Sequence, residues 1–491
     1  GIQTRTVEYF HRNDPKLKAD IESIVAKMRD AKEYGSILNI TPVDFAGLYA
    51  RFDEIRNDIS LLRKPALAEL LPLVKCAEML AQKYDVVVTN PPYMGASSMG
   101  AKLADYVKKN FPDSKADMFA VFIERCGQMA KKNGYQAMIT QPSFLFLTSF
   151  ERLREKTVTT SSIENLLHMG RGIFGIDFGS IAFVIKKRHL ASYKGVFLRL
   201  HERTFQYIEP KDIAQLYIRA KENHSYRYSF VDYTTDDGIV EQPVTPNSKQ
   251  IYYEALQDNF SKIPGSPVAY WVSERFNKVF EEKHISDVAK VVTGMTTADN
   301  ERFLRLWFEI SLSTFSIKQK SNPKWFPYQK GGDFCKWYGD NEYVVNWENK
   351  GLAIKNNIDP KTKKVRSGSY NESYITKKGL TWTYITSGPL GVRFVPDGFL
   401  FDNKGSMVFF EDEESIYTNL GFLCGTIARV VSQILNPTIS FQPGNMAIMP
   451  SPQVSDEKEL ITPKVKENIE YARIDWDSYE TSWDFKRNPL V

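Results

Sequence analysis

Residues 84–95, YDVVVTNPPYMG, gather an amide, two rigid prolines and an aromatic ring at the end of an apolar run. Val86, Val87 and Val88 predict a strand, and the two prolines end it. The side-chain oxygen of Asn90 can accept one hydrogen of an amino group, and the main-chain carbonyl of Pro91 can accept the other. Pro91 and Pro92 fix their own φ, so that carbonyl is aimed before a ligand arrives. Tyr93 supplies a flat face. Two in-plane acceptors and a stacking ring suit a planar base with an exocyclic NH2. Such an amine is a poor nucleophile, because its lone pair is delocalised into the ring. Two acceptors make the nitrogen more pyramidal and localise that pair, so an electrophilic methyl held in line can be attacked. This chemistry needs no metal and no strong base. A base in duplex DNA must leave the stack to reach such a site.

Asn-Pro and Pro-Pro also punctuate plain turns. The setting favours chemistry, since ligands of open α/β sheets bind beyond the carboxyl ends of the strands. Residues 115–134 predict an amphipathic helix stopped by Gly134, with Asp117, Phe119 and Phe122 on one side. Strands are expected at 135–142, 163–170 and 180–188, and a helix at 149–160. Upstream, 15–35 reads as a helix stopped by Gly35, and 43–83 as one or two helices interrupted near Pro65 and Pro72. This alternation implies an α/β domain over 1–190, its sheet covered on both faces. Residues 191–265 are polar and Tyr-rich and read as a connecting segment. Residues 266–450 carry short strands (YVVNW, LTWTYI, GVRFV, GFLFD, SMVFF) and an apolar helix at 418–435, giving a mixed α+β second domain. A tail follows over 451–491.

A chain of 491 residues is too long for one core. With 64 basic and 59 acidic residues the net charge is +5, which permits nucleic-acid binding without demanding it. Charge is concentrated locally instead. Lys355, Lys361, Lys363, Lys364, Arg366, Lys377 and Lys378 cluster in a turn-rich stretch with Tyr370 and Tyr374. That composition suits contacts to DNA phosphates and a few base edges, although charge runs are commonly just solvated loops. The 4 cysteines and 6 histidines show no metal-ligand spacing, so no metal is expected, and the cysteines read as reduced thiols of a cytoplasmic protein. No apolar run approaches the roughly 20 residues that span a bilayer.

The stretch NPPYMGASSMGAKLADYVKKNFPDSKADMFAVFIER resembles the adenine-specific DNA methyltransferases of BREX phage-defence systems, the PglX type, within the Eco57I-like amino-methyltransferases. The likeness continues in AKEYGSILNI, GYQAMITQPSFLF, GRGIFGIDFGS, TGMTTADNERFLRLW, ILNPTISFQPGNMAIMP and DWDSYETSWDFKRNPL, nearly the whole chain. NPPY alone marks only amino-methyltransferases; DSKAD and the DWDSYETSWDF segment narrow it. The resemblance implies a Rossmann-like methyltransferase domain followed by a target-recognition domain. It implies S-adenosylmethionine as methyl donor, adenine in double-stranded DNA as acceptor, and work alongside other proteins of the same system, with no membrane role. Asn90, Pro91, Pro92 and Tyr93 stand at the family's catalytic motif. Phe122, with Asp117 nearby, stands where the cofactor is held, and Phe174, or else Phe178, where an aromatic closes over the flipped base.

One departure matters. The family holds the cofactor's methionine end with a glycine-rich loop upstream of NPPY, and no Gly-x-Gly occurs in residues 1–83. A chain opening on Gly1 is read as lacking that upstream part, and is expected to bind the cofactor weakly or not at all on its own. Two alternatives stay open: a DNA-recognition subunit that does not catalyse, and a methyltransferase acting on RNA or a protein amide.

Overall fold

The computed structural model describes residues 3–174, 179–202, 207–318, 321–368, 370–385, 388–436, 440–454 and 458–487. The chain forms two units, Gly1–Ser261 with Gly265–Trp271, and Lys262–Pro264 with Val272–Val491.

The first unit begins with a helical layer. Helices Thr4–His11, Pro15–Lys27, Phe45–Arg56 and Leu71–Ala81 bury Phe10, Ile21, Leu48, Phe52, Val74 and Ala77 in one core. The second helix starts where its sequence dictates: the Asp14 carboxylate accepts the N–H groups of Lys16 and Leu17, and Pro15 occupies the first turn. It ends at Lys27, and a separate short helix, Ala31–Tyr34, precedes Gly35. Pro65 and Pro72 do not interrupt the next helical stretch. Pro65 lies in its first turn, and the backbone widens to π-helical geometry over Ala66–Leu70, just ahead of Pro72 and its missing donor.

The strands are β1 (Tyr84–Thr89), β2 (Ala130–Thr140), β3 (Ser162–Gly170), β4 (Ser180–Lys186), β5 (Lys194–Arg199), β6 (Arg227–Tyr228), β7 (Lys249–Gln250) and β8 (Tyr252–Leu256). A six-stranded sheet has the order β1-β2-β4-β3-β5-β8, and β6 pairs with β7 apart from it. β1 is parallel to β2 and β3 to β5, while β4 is antiparallel to both β2 and β3. The carboxyl ends of β1, β2, β3 and β5 therefore share one end of the sheet. The core on one face is built from Phe119, Ile123, Met138, Phe144, Leu166, Ile181 and Phe183.

Three expectations change here. The helix at 115–134 is Met118–Met129, and β2 already begins at Ala130. Gly134 does not stop the helix; a Cβ there would lie 2.9 Å from the Asp85 carbonyl oxygen and 3.1 Å from that of Tyr84, so it lets β2 approach β1. Residues 191–265 are not merely a connector. They supply β5, β8 and the helix Pro210–Glu222, and bury Leu198, Ile213, Leu216, Tyr228, Phe230 and Tyr252 in a second core on the sheet. Tyrosines do part of that burying, which is why the segment reads as polar. The sheet is also not covered throughout. β1 is an edge strand whose Val86 and Val88 are 56% and 70% exposed, while Val87 packs on the core beneath.

The second unit holds β9 (Ala289–Val292), β10 (Leu304–Leu306), β11 (Trp325–Gln329), β12 (Tyr343–Asn346), β13 (Gly379–Trp382), β14 (Val392–Val395), β15 (Leu400–Phe401) and β16 (Met407–Phe410). They form two four-stranded sheets, β10-β12-β11-β15 and β14-β13-β16-β9. Each of the five short strand motifs of the sequence contributes to one of these strands. The apolar helix expected at 418–435 is two helices, Glu413–Leu423 and Thr426–Leu435. The break falls at Cys424-Gly425, where the Lys336 ammonium donates to the Cys424 carbonyl at 2.7 Å and removes it from the helical ladder. A further helix, Lys458–Asp477, lies in the region expected as a tail, and Gly421 leaves room for Val465 to pack against Glu413–Leu423.

Candidate active site

Asn90 is the first residue beyond β1, exposed at the carboxyl end of the sheet. Pro91 is buried and Pro92 exposed, so the Asn90 side chain stands above a fixed backbone. The Tyr93 hydroxyl donates to the Ile139 carbonyl of β2 at 3.3 Å and to Asn90 Oδ1 at 3.4 Å. The Tyr93 ring stands edge-on to Phe119, centroids 6.2 Å apart. Partial burial holds the Tyr93 hydroxyl above its ordinary pKa, so it stays protonated and keeps donating. The amide oxygen that the chemistry requires is thus oriented by the same tyrosine that offers the stacking face.

The loop beyond Tyr93 is zipped to the start of helix Met118–Met129. Met118 N–H donates to the Met94 carbonyl at 3.0 Å, and Ala96 N–H to the Ala116 carbonyl at 3.0 Å. Asp117 caps that helix. Its Oδ1 accepts Phe119 N–H at 3.3 Å and also Met94 N–H at 3.1 Å. Phe122, further along the same helix, is partly buried between two cores.

The next strand end is held by a buried arginine. Arg154 is 1% exposed and donates to the carbonyls of Phe144 at 2.9 Å, Leu147 at 2.6 Å and Gly265 at 2.7 Å. Burial lowers its pKa to about 10. It ties the segment after Gln141 to helix Glu151–Thr160 and to Gly265. Beyond β3, Phe174 is 44% exposed in a turn at the same sheet end, and Phe178 lies outside the described residues. Gly172 enters that turn at φ +110°, with the Ile208 carbonyl oxygen 2.6 Å from where a Cβ would sit.

Sequence reading passed over one cluster at this end. His168, near the end of β3, is 3% exposed, and its Nδ1 lies 3.2 Å from the Tyr270 hydroxyl. Burial pushes its pKa well down, so the ring is neutral. Arg199, the last residue of β5, sits 4.8 Å from the Trp271 ring centroid. His168 and Tyr270 are 102 residues apart, so no spacing in the sequence announces them.

The glycine-rich turn expected of a cofactor site is not found among the described residues. Among them no strand precedes β1, residues 3–83 being mostly helical, and no glycine-rich strand-to-helix turn faces Asn90. Asp117 Oδ1 is engaged by two main-chain donors, and Phe122 is wedged between cores. Among the described residues no three His, Cys, Asp or Glu side chains come together as a metal site, and no helix is long and apolar enough to cross a membrane.

In the second unit the basic stretch is a structured hairpin. Ile358 and Val365 form an antiparallel bridge. The Asp359 carboxylate accepts the N–H groups of Lys361 at 2.9 Å and Thr362 at 2.7 Å, which shapes the tip. Gly368 bridges to Thr296, and Asn357 Nδ2 donates to the Thr297 carbonyl at 3.2 Å, which anchors the base. Lys361, Lys363, Lys364 and Arg366 are exposed, and among the described residues none of them makes an ion pair. Lys378 differs, because its ammonium pairs with Glu413 at 2.7 Å, and Lys377 lies over the Tyr374 ring at 5.5 Å.

Residues 51–174 match the family model of the Eco57I restriction-modification methylases. The chain is 36% identical over 439 residues to the adenine-specific methyltransferase PglX of Lacticaseibacillus casei (strain Zhang), covering 86% of this chain and 34% of that protein. It is 33% identical over 476 residues to the adenine-specific methyltransferase BrxX of Escherichia coli O9:H4 (strain HS), covering 95% of this chain and 36% of that protein. The chain therefore spans about a third of the length of these relatives. Among solved structures, the type IIL restriction-modification enzyme MmeI in complex with DNA matches at a TM-score of 0.49 and 12% identity, over 90% of this chain and 57% of that one. The resemblance drawn from the sequence is borne out: over most of its length the chain is a relative of the adenine-specific methyltransferases PglX and BrxX.

Proposed function

We propose, from that relationship, that the chain serves S-adenosylmethionine-dependent methylation of the exocyclic amino group of adenine in double-stranded DNA. The target base is flipped out of the duplex to reach it. The observation that carries this reading is the placing of Asn90-Pro91-Pro92-Tyr93. The acceptor amide stands at the carboxyl end of β1, with Tyr93 tied to β2 beside it. Asn90 Oδ1 and the Pro91 carbonyl take the two amino hydrogens, Tyr93 stacks on the base, and Phe174 closes from the β3 turn. S-adenosylmethionine, when bound, supplies the electrophilic methyl. The edge of β1 that leads into Asn90 is open, with Val86 and Val88 exposed. The first unit, whose sheet runs on to β5 and β8, acts as the catalytic domain and the second unit as the target-recognition domain. The protein works in the cytoplasm with other proteins of a phage-defence system.

A second reading, a DNA-recognition subunit without catalysis, is favoured by one observation, that no Gly-x-Gly occurs in residues 1–83. Expression of the full-length gene in a host lacking adenine methylation separates the two. N6-methyladenine should appear in the genomic DNA with the natural sequence and not with Asn90→Ala. Equal, background levels from both would support the second reading.

The hairpin carries the DNA contact. Replacing Lys361, Lys363 and Lys364 together by alanine should weaken DNA binding on every sequence tested. It should also make the slope of log affinity against log salt shallower by about 2–3, near 0.9 for each phosphate that is no longer neutralised. Fluorescence anisotropy at a series of salt concentrations measures this, and an unchanged slope would remove the hairpin from the interface.

A further inference from the structure

We propose that Asp117 is a positioning residue that locks the Asn90–Tyr93 loop, rather than a cofactor ligand; the proposal rests on the methyl-transfer reading. One carboxylate oxygen, Oδ1, accepts two main-chain N–H groups that belong to different pieces of the site. The first is Met94, the residue directly after Tyr93, at 3.1 Å. The second is Phe119 at 3.3 Å, and the Phe119 ring is what the Tyr93 ring stands against, 6.2 Å between centroids. Asp117 therefore fixes both the chain that carries Tyr93 and the surface that supports it. The flanking main-chain pairs, Met118 to Met94 and Ala96 to Ala116, set the register of this clamp, and Gly95 and Asp117 form an antiparallel bridge within it.

A carboxylate is well suited to the place. It sits at the N-terminus of the 12-residue helix Met118–Met129, where a negative charge meets the positive end of the helix dipole. Its geometric job, however, is that of an acceptor. An asparagine at 117 retains an oxygen in the same position and can accept both N–H groups, whereas alanine cannot. A carboxylate that bound a cationic part of the cofactor by its charge would lose cofactor affinity in both substitutions.

The experiment compares Asp117→Ala and Asp117→Asn in the full-length protein, with amide hydrogen exchange at Met94 as a readout independent of activity. In Asp117→Ala, exchange at Met94 should rise by about 5-fold, the scale of one lost capping interaction. The kcat for methyl transfer should fall by about 10-fold or more, as expected when a reacting group is slightly misplaced. The Kd for S-adenosylmethionine should stay within about 2-fold of the natural value, and Asp117→Asn should restore both exchange and kcat to within about 3-fold. Unchanged Met94 exchange in Asp117→Ala would overturn the proposal. So would a loss of cofactor affinity shared equally by both variants. Absence of methyl transfer by the natural protein would instead count against the methyl-transfer reading, and the exchange data would still decide whether the clamp exists.

Discussion

Alanine at Asn90 should lower the kcat for adenine methylation by about 10²–10³-fold, with little change in the affinity for cofactor or DNA. The magnitude is that of removing one preorganised polar group from a site where charge shifts during the reaction. In the proposed reading Asn90 holds the nucleophilic nitrogen rather than the methyl donor, so its loss would act on the chemical step. The side chain is exposed beyond β1, and its one described contact is the long hydrogen bond from Tyr93. Its removal therefore leaves the fold in place, and the thermal midpoint should stay within a few degrees. Tyr93→Phe, in contrast, keeps the stacking ring and loses the donor to the Ile139 carbonyl and to Asn90 Oδ1. It should cost less, about 10-fold, because the acceptor remains and only its orientation loosens. Single-turnover kinetics with the full-length protein separates these effects from product release. An Asn90→Ala enzyme within about 3-fold of the natural rate would mean that the amino group is held elsewhere.

The second large effect concerns stability. Arg125 is 2% exposed on the helix that carries Asp117 and Phe119, and no ion pair among the described residues offsets its charge. It donates to the carbonyls of Ser36 at 3.2 Å, Leu38 at 2.6 Å and Leu80 at 2.9 Å. Those carbonyls belong to the helical layer, so one guanidinium joins that layer to the helix that clamps the Asn90–Tyr93 loop. Burial lowers its pKa, yet a guanidinium starts so high that it remains charged. Arg125→Ala leaves three carbonyls without their donor and should destabilise the first unit by about 3–5 kcal/mol. Arg125→Lys should recover only part, since one ammonium cannot replace the planar fork across three acceptors. Urea denaturation followed by intrinsic fluorescence reads the difference. A loss below about 1 kcal/mol would show that water satisfies those carbonyls instead.

These residues show where the sequence was readable and where it was not. β1, β3 and β4 were legible because β-branched and apolar runs are bounded by Pro or Gly, and the short strands of the second unit because aromatic and β-branched residues cluster between turns. The placing of Asn90–Tyr93 beyond β1 was legible because two consecutive prolines end a β-branched run. β5 and β8 were missed because their unit buries tyrosines, which composition scores as polar. Arg125 and Arg154 look like ordinary charges on amphipathic helices; only the fold reveals that carbonyls from distant segments converge on them. Asp117 was singled out for its position on the helix, but its link to Met94, 23 residues earlier, depends on a loop conformation that no local pattern encodes. The hairpin was visible as charge, while its rigidity came from the Asp359 turn and the bridge between Ile358 and Val365.

The destination of the methyl group is the most direct test. Full-length protein, S-adenosylmethionine with a labelled methyl and three acceptors (duplex DNA, RNA and protein) would be incubated in parallel, and the products hydrolysed and separated. Label is expected in N6-methyladenine from duplex DNA alone, and none when Asn90 is alanine. Label in RNA or protein with none in DNA, or equal label in DNA from the natural and Asn90→Ala proteins, would contradict the role given to this site.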